Sequence, residues 1–562
     1  MTNEHRGVGG ARLDAAEAAL GLEMLFADVA SAPLRPDLPL APAVRMATAL
    51  AGRPLTVARR GAGLAAELTR IGLGRSTLAP SAQDERYADP AWSDNPLLRR
   101  FVQAHIAAGA IAADLIADAR LDGPDDERIR AAVTTLVDAL APSNTLLNPA
   151  VWRPVLGGES AVRGVVRRAG DLAASPRVPA PPGACCGFEV GTDVAATPGA
   201  VVLRTPVAEL IQYLPQTEEV RDLPLLVVPP MATRYYLADL APRRSIVEHL
   251  VRGGQQVFLL SWRNPGPEHA VWDLDTYGRA VLDAIDACER ITRTSGTSLM
   301  AFSWSGGAVT AMLLAHLAAI GAQQRVASVT FAASVLDQED HGTHDTDAAR
   351  GAVAASARLG YLDGSGLVAA LARRQPDDLR PNRAPHHGTG RPAAPAPEVL
   401  SWLADTVRVP AALHRDLVDV AQDNALVTPG AAAMLGTAVD LSKIDRDTYV
   451  VAGAGSDTWR SCYRTTGLLG GTSRFVLSTG GRAASVVCPP DDPDAEFQVA
   501  ETTPPDAGRW LATARPVAGS WWADHLAWLG ERSGPLRDAP PELGGRGMHA
   551  VAPAPGEYVL QR

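Results

Sequence analysis

Lysine is almost missing from this chain. Of the 52 Lys and Arg residues among 562, only Lys443 is a lysine. Against 62 Asp and Glu the formal net charge is −10, so the composition carries no basic footprint for a nucleic acid. With Ala, Gly and Pro so abundant, the arginine excess reads as genome-wide codon bias rather than as a functional signal. Cysteine is scarce too. Cys185, Cys186, Cys288, Cys462 and Cys488 are too few and too scattered for a disulfide framework. No C-x-x-C pair or His/Cys cluster has the spacing of a zinc site, so no metal or cofactor is expected. No apolar run is long enough to span a membrane: the longest, Ala308 to Ala322, is interrupted by His316. No apolar segment follows Met1 to Arg6, so no secretory signal is read and a cytoplasmic protein is expected.

What is present is ample material for a large core. The hydrophobic fraction is 46% and the charged fraction 20%, which excludes wholesale disorder. At roughly 100–200 residues per domain, the length allows two to four structural units. Residues 1–199 read as a helical N-terminal region, with apolar spacings of three and four in Leu64–Leu73 and Leu97–Ala117. Its end, Arg177 to Gly187, reads as a linker. From Ala200 the texture changes to short, wholly apolar runs separated by helical stretches. Leu225–Val228, Val257–Ser261, Ser298–Phe302 and Ser328–Phe331 read as buried strands, as do Thr448–Ala452 and Arg474–Ser478. This predicts an α/β fold with a mainly parallel sheet, its first half at 200–338 and its second at 446–500. Residues 339–445 form an insertion between the halves, and 501–562 a tail rich in tryptophan (Trp510, Trp521, Trp522, Trp528).

The chemistry is expected in Leu299–Leu313, LMAFSWSGGAVTAML. An apolar strand, a sharp turn of small residues and an amphipathic helix make the context of a nucleophile elbow. There the reacting group sits at a helix N-terminus, where backbone N–H groups stabilise an oxyanion. The plain alternative is a strand–helix turn in which Gly306-Gly307 only permits close packing. His386-His387 lacks nearby partner ligands and reads as a solvated loop rather than a metal site.

The surroundings resemble the polyhydroxyalkanoate synthases, with the medium-chain-length (class II-like) branch nearest. The resemblance runs from about residue 50 to the C-terminus. It rests on Asp89–Pro96, Ala141–Thr145, Pro224–Pro230, Ser261–Pro265, Leu336-Asp337, Ala411–His414, Ser461–Tyr463 and Pro555–Val559. The resemblance implies an α/β-hydrolase fold with an inserted cap and a helical N-terminal region. It also implies polymerisation of (R)-3-hydroxyacyl groups from coenzyme A thioesters into storage polyester at granule surfaces. Such a reaction uses a cysteine in a G-x-C-x-G-G elbow, a histidine that deprotonates it, and an aspartate.

This chain departs from the family at each of those positions. Aligned on Gly306-Gly307, Phe302 stands for the first glycine and Trp304 for the cysteine; an indole N–H donates a hydrogen bond and cannot attack a thioester. Arg482 stands for the histidine, and a guanidinium is always protonated. The aspartate's loop is shortened to Gly453–Trp459, so Asp457 or Ser456 takes its place, depending on where the two-residue gap falls. No cysteine rescues the nucleophile by position. Ser305 fits small-x-Ser-x-small with the frame moved by one residue, and Ser303 fits less well because Gly-Gly lies one place too far. A serine needs a base; His269, His341 and His344 are unplaced by this reasoning. The cap segment Asp378–Gly388 has become polar where the family carries an apolar, aromatic run. Trp402 and Asp405 survive from a Trp-Asn-x-Asp motif, and Pro229–Arg234 is an altered Pro-Pro-x-Ile-Asn-Lys. Arg263, Asn264, Trp459 and the tail tryptophans read as fold residues. The expectation is a family member that has lost its triad. It would then be a partner of an active synthase, a protein of the granule surface or a binder of acyl-CoA, with a homo- or heterodimer left open. The rival expectation is an acyltransferase or hydrolase using Ser305 with a relocated base.

Overall fold

The computed structural model describes residues 40–80, 90–121, 188–339, 346–368, 397–454, 458–479, 486–493 and 495–561, with a few single residues, Glu23 among them. The chain makes two compact units. One is 33–178; the other joins 1–32 to 179–562.

The 33–178 unit is helical where described. It contains α1 (Leu40–Ala51), α2 (Pro54–Gly72) and α3 (Pro96–Ala119). Pro54 and Pro96 open their helices in the first turn, where a missing N–H costs nothing. Asn95 caps α3 by accepting from Leu97 N at 2.9 Å. By length and composition α3 could cross a membrane, unlike the Ala308–Ala322 run, and among the described residues it is the one helix that could. Its side chains are engaged otherwise: Asp114 and Asp118 pair with Arg60 of α2 at 2.6 and 2.8 Å.

The larger unit is built on an eleven-stranded sheet. Its strands are β1 (Gly199–Arg204), β2 (Ala208–Tyr213), β3 (Leu225–Val228), β4 (Val257–Trp262), β5 (Thr297–Phe302), β6 (Val326–Ala332), β7 (Asp447–Gly453), β8 (Ser473–Ser478), β9 (Glu496–Val499), β10 (Arg515–Ala518) and β11 (Ala552–Pro553). The spatial order is β10-β9-β8-β7-β6-β5-β3-β4-β2-β1-β11. From β8 across to β4 every neighbour is parallel, and outward from these every pairing is antiparallel. The run 1-2-4-3-5-6-7-8 is the α/β-hydrolase arrangement that the family resemblance implies, and its parallel centre is what the apolar strand texture indicates. Strands such as Leu225–Val228 are buried on both faces because helices cover both sides, which is why they read as unbroken apolar runs.

Helices of this unit include α4 (Ile246–Arg252), α5 (Leu274–Thr292), α6 (Ser303–Ala319), α7 (Thr346–Leu359), α8 (Pro397–Ala404), α9 (Ala411–Gln422), α10 (Trp459–Leu468) and α11 (Trp521–Gly530). The segment holding α7 to α9 leaves the sheet after β6 and returns at β7, which pairs directly with β6. The two strand groups read from sequence thus share one sheet. One expectation about α6 does not hold. It is not amphipathic but buried on every side from Ser303 to Leu317. His316, which interrupts its apolar run, turns Nδ1 to Thr437 Oγ1 at 2.9 Å.

The altered Pro229–Arg234 motif and the surviving Trp402 and Asp405 meet in space. Arg234, 2% exposed, pairs with Asp405 at 3.1 Å and donates to Tyr558 O at 3.1 Å. Trp402 Nε1 donates to Arg234 O at 2.9 Å. These contacts tie the loop after β3 to the inserted segment and to the chain's last residues. Fold roles also account for the residues read as such. Arg263 lies over the Tyr558 ring at 5.0 Å, and Asn264 accepts from Arg408 N at 2.9 Å. Trp510, Trp521 and Trp522 are fully buried; Trp510 meets Phe475 edge-on at 4.8 Å, and Trp459 packs against both.

Candidate functional site at the elbow

Strands β5, β7 and β8 run parallel, so their C-terminal ends share one edge of the sheet. In open α/β sheets that edge is where ligands and catalytic groups gather. The elbow leaves β5 there. Strands β7 and β8 end at the same edge; Ser456, Asp457 and Arg482, which follow them in sequence, lie outside the described residues. So do Cys185, Cys186, His341, His344, His386 and His387.

The turn itself is sharp. Phe302 ends the strand in extended conformation (φ −110°, ψ 142°), and Ser303 opens α6 at φ 60°. This places the left-handed residue one position before Trp304, the residue that spacing from Gly306-Gly307 puts in the nucleophile's place. Sterics explain the difference. A bulky side chain at positive φ is strained, whereas a serine tolerates it at lower cost, and Ala301-x-Ser303-x-Ser305 supplies small neighbours on both sides. Ser303, the weaker serine candidate by sequence, is therefore the residue at the tip, and Ser305 lies within the first turn. Trp304 is buried. Gly306 and Gly307 serve close packing as well. A Cβ on Gly306 would sit 3.0 Å from Val228 O, and one on Gly307 would sit 2.7 Å from Ser334 Cβ.

The partner of both serines is a residue that sequence reasoning missed. Ser303 Oγ donates to Glu23 Oε2 at 2.7 Å, and Ser305 N–H donates to the same oxygen at 2.8 Å. Ser305 Oγ donates to Glu23 Oε1 and accepts from Met231 N–H at 2.9 Å. Glu23, Ser303 and Ser305 are all buried. Burial pushes the Glu23 carboxyl above its usual range; the hydrogen bonds from Ser305, Ser303 and Met231 oppose that rise. One signal could have found it: Glu23 is a lone acid within Leu22-Glu23-Met24-Leu25-Phe26.

No histidine bonds to either serine among the described residues. His269 accepts from Gly266 N–H at 2.9 Å and packs at a tilt against Trp272. His414 is joined to Ser356 and His525 to Thr330. Cys288, Cys462 and Cys488 are buried thiols, and burial pushes Cys288 well above the usual thiol range, the opposite of an activated nucleophile. Among the described residues no group of three His, Cys, Asp or Glu could hold a metal ion.

The chain is 38% identical to poly(3-hydroxyalkanoate) polymerase 2 of Ectopseudomonas oleovorans over 517 residues, covering 91% of this chain and 92% of the relative. It belongs to the polyhydroxyalkanoate synthase family. A polymerase subunit of Cupriavidus necator is 35% identical over 506 residues, covering 86% of this chain and 84% of that one. A family model described as the N-terminus of poly-beta-hydroxybutyrate polymerase (PhaC) matches residues 83–250. Similar solved structures include a carboxylesterase of Nitrososphaera gargenis (11% identity, TM-score 0.28, 49% of this chain and 88% of that one). An N-acyl homoserine lactonase is a second (12% identity, TM-score 0.26, 45% and 77%). This member of the family thus carries a buried carboxylate bonded to its elbow.

Proposed function

We propose that this family member does not polymerise hydroxyacyl-CoA but acts as a binding partner, at the polyester granule surface in the cytoplasm or on an active synthase. The observation that carries the reading is the occupied elbow. Thioester exchange needs a nucleophile with a base in hydrogen-bond reach and space for the acyl group. Here both serines point at Glu23, all three residues are buried, and the family's base position is Arg482. Residual binding of acyl-CoA or a hydroxyacyl chain fits the same reading.

A serine acyltransferase or hydrolase is the second reading, favoured by one observation. Ser303 occupies the left-handed tip with its hydroxyl 2.7 Å from a carboxylate that burial makes more basic. The deciding measurement is CoA release from (R)-3-hydroxyacyl-CoA by the pure protein. The expected result is no turnover, with retention on polyester granules or on an active synthase in a pull-down. CoA release abolished by Ser303→Ala or Ser305→Ala would overturn it. Restoring chemistry should also follow the backbone rather than the spacing: Ser303→Cys with Arg482→His should exceed Trp304→Cys with Arg482→His, since residue 303 holds the tip.

A further inference from the structure

We propose that the elbow is a carboxylate-binding site whose resident occupant is Glu23, so that a free monocarboxylate competes with Glu23 for the same donors. The inference rests on the elbow being non-catalytic, as read above. That a site exists follows from its occupant. An acid 280 residues away in sequence has been drawn wholly out of water to meet Ser303. Burying a carboxyl group is costly unless strong donors replace its hydration. Three donors do so, namely the Ser303 hydroxyl, the Ser305 hydroxyl and the Ser305 N–H. All three belong to the first turn of a 17-residue helix, whose N-terminal N–H groups favour negative charge.

The geometry also says what the site selects. Ser305 N–H and the Ser303 hydroxyl converge on one oxygen of Glu23, and the Ser305 hydroxyl serves the other while accepting from Met231 N–H on the loop directly after β3. A ligand of matching chemistry is a monocarboxylic acid, the class to which the hydrolysis product of any acyl thioester belongs. An intact ester or amide lacks the second anionic oxygen that the Ser305 hydroxyl serves.

The test uses the full chain and sodium acetate as the probe, followed by calorimetry and by NMR of carboxyl-labelled acetate. Glu23→Ala should bind acetate at least tenfold more tightly than the unmodified protein, and acetamide should not show this gain. Adding Ser303→Ala and Ser305→Ala to Glu23→Ala should remove it. Should Glu23→Ala not fold, Glu23→Gln keeps the volume and removes the charge, and at least a threefold gain in acetate binding is expected. Equal acetate binding with and without the Glu23 carboxylate overturns the proposal. So does a gain that acetamide shares or that survives loss of both serines. CoA release by the unmodified protein would overturn the non-catalytic reading without changing the acetate result, so the two failures are distinguishable.

Discussion

Ser305 Oγ is held between Glu23 and Met231, donating to the carboxylate and accepting the backbone N–H at 2.9 Å. A hydroxyl with both its proton and a lone pair so engaged is a structural link between Glu23 and the loop after β3. Its strength depends on the protonation of Glu23.

That dependence fixes a sign. Burial raises the Glu23 carboxyl above its ordinary value of 4.5, so the folded state holds the proton more tightly than the unfolded chain. The stability this provides is complete below pH 4.5 and is lost as pH rises through the folded value. Melting curves at increasing pH from 4.5 should show this decline in the unmodified protein. Glu23→Gln should flatten it; an identical pH profile for the two would contradict the assignment.

His525 gives the opposite slope. Burial among Tyr449, Trp521 and Trp528 lowers it from 6.5 to about 3, with Asp524 offsetting part of the shift and His249 adding to it. Its neutral form bonds Thr330 at 2.9 Å. The folded value is depressed, so the contribution is present above pH 6.5 and is lost as pH falls toward 3, by about 1.4 kcal/mol per unit. His525→Gln should lose less stability between pH 6.5 and 4 than the unmodified protein, as read by denaturant melts.

Asp405→Ala should destabilise the fold by about 2–3 kcal/mol, because it leaves the Arg234 guanidinium buried beside carbonyl oxygens alone. The estimate stands below that for a fully buried pair because the Asp405 side chain is 33% exposed. Arg234→Met with Asp405→Leu should recover much of the loss. Urea unfolding of the three variants measures both.

Gly307→Ala tests the elbow's packing. The added methyl would lie 2.7 Å from Ser334 Cβ and 2.8 Å from its hydroxyl oxygen, a clash worth about 1–3 kcal/mol. Ser334→Gly in the same chain should relieve it. A neutral Gly307→Ala would show that α6 can shift away from the loop after β6.

The fold was legible because buried parallel strands leave a coarse mark. Leu225–Val228 and Val450-Val451 are apolar whichever face they present, and sheet position follows from connection rules. The elbow was legible as a place but not in register. Gly306-Gly307 points to Trp304, and only the backbone dihedral of Ser303 shows that the turn has moved. The pairing of Glu23 with the elbow was illegible for a different reason. It depends on a contact across 280 positions of sequence, and neither periodicity nor local spacing carries information over that distance. Arg234 with Asp405 was half legible: each was noticed as a motif residue, yet nothing local joined them.

The reach of the Glu23 contact also has a consequence for biosynthesis. Chains emerge from the ribosome N-terminus first, at about 5–20 residues per second, so Glu23 precedes Ser303 by roughly 15–55 s. Throughout that interval residues 33–178 can complete their own unit while Glu23 has no elbow to meet. Closing so long a loop is entropically unfavourable, although the cost grows only logarithmically with length. Glu23 therefore meets its donors only after the β5–α6 segment has emerged, so this contact closes late in the synthesis of each molecule.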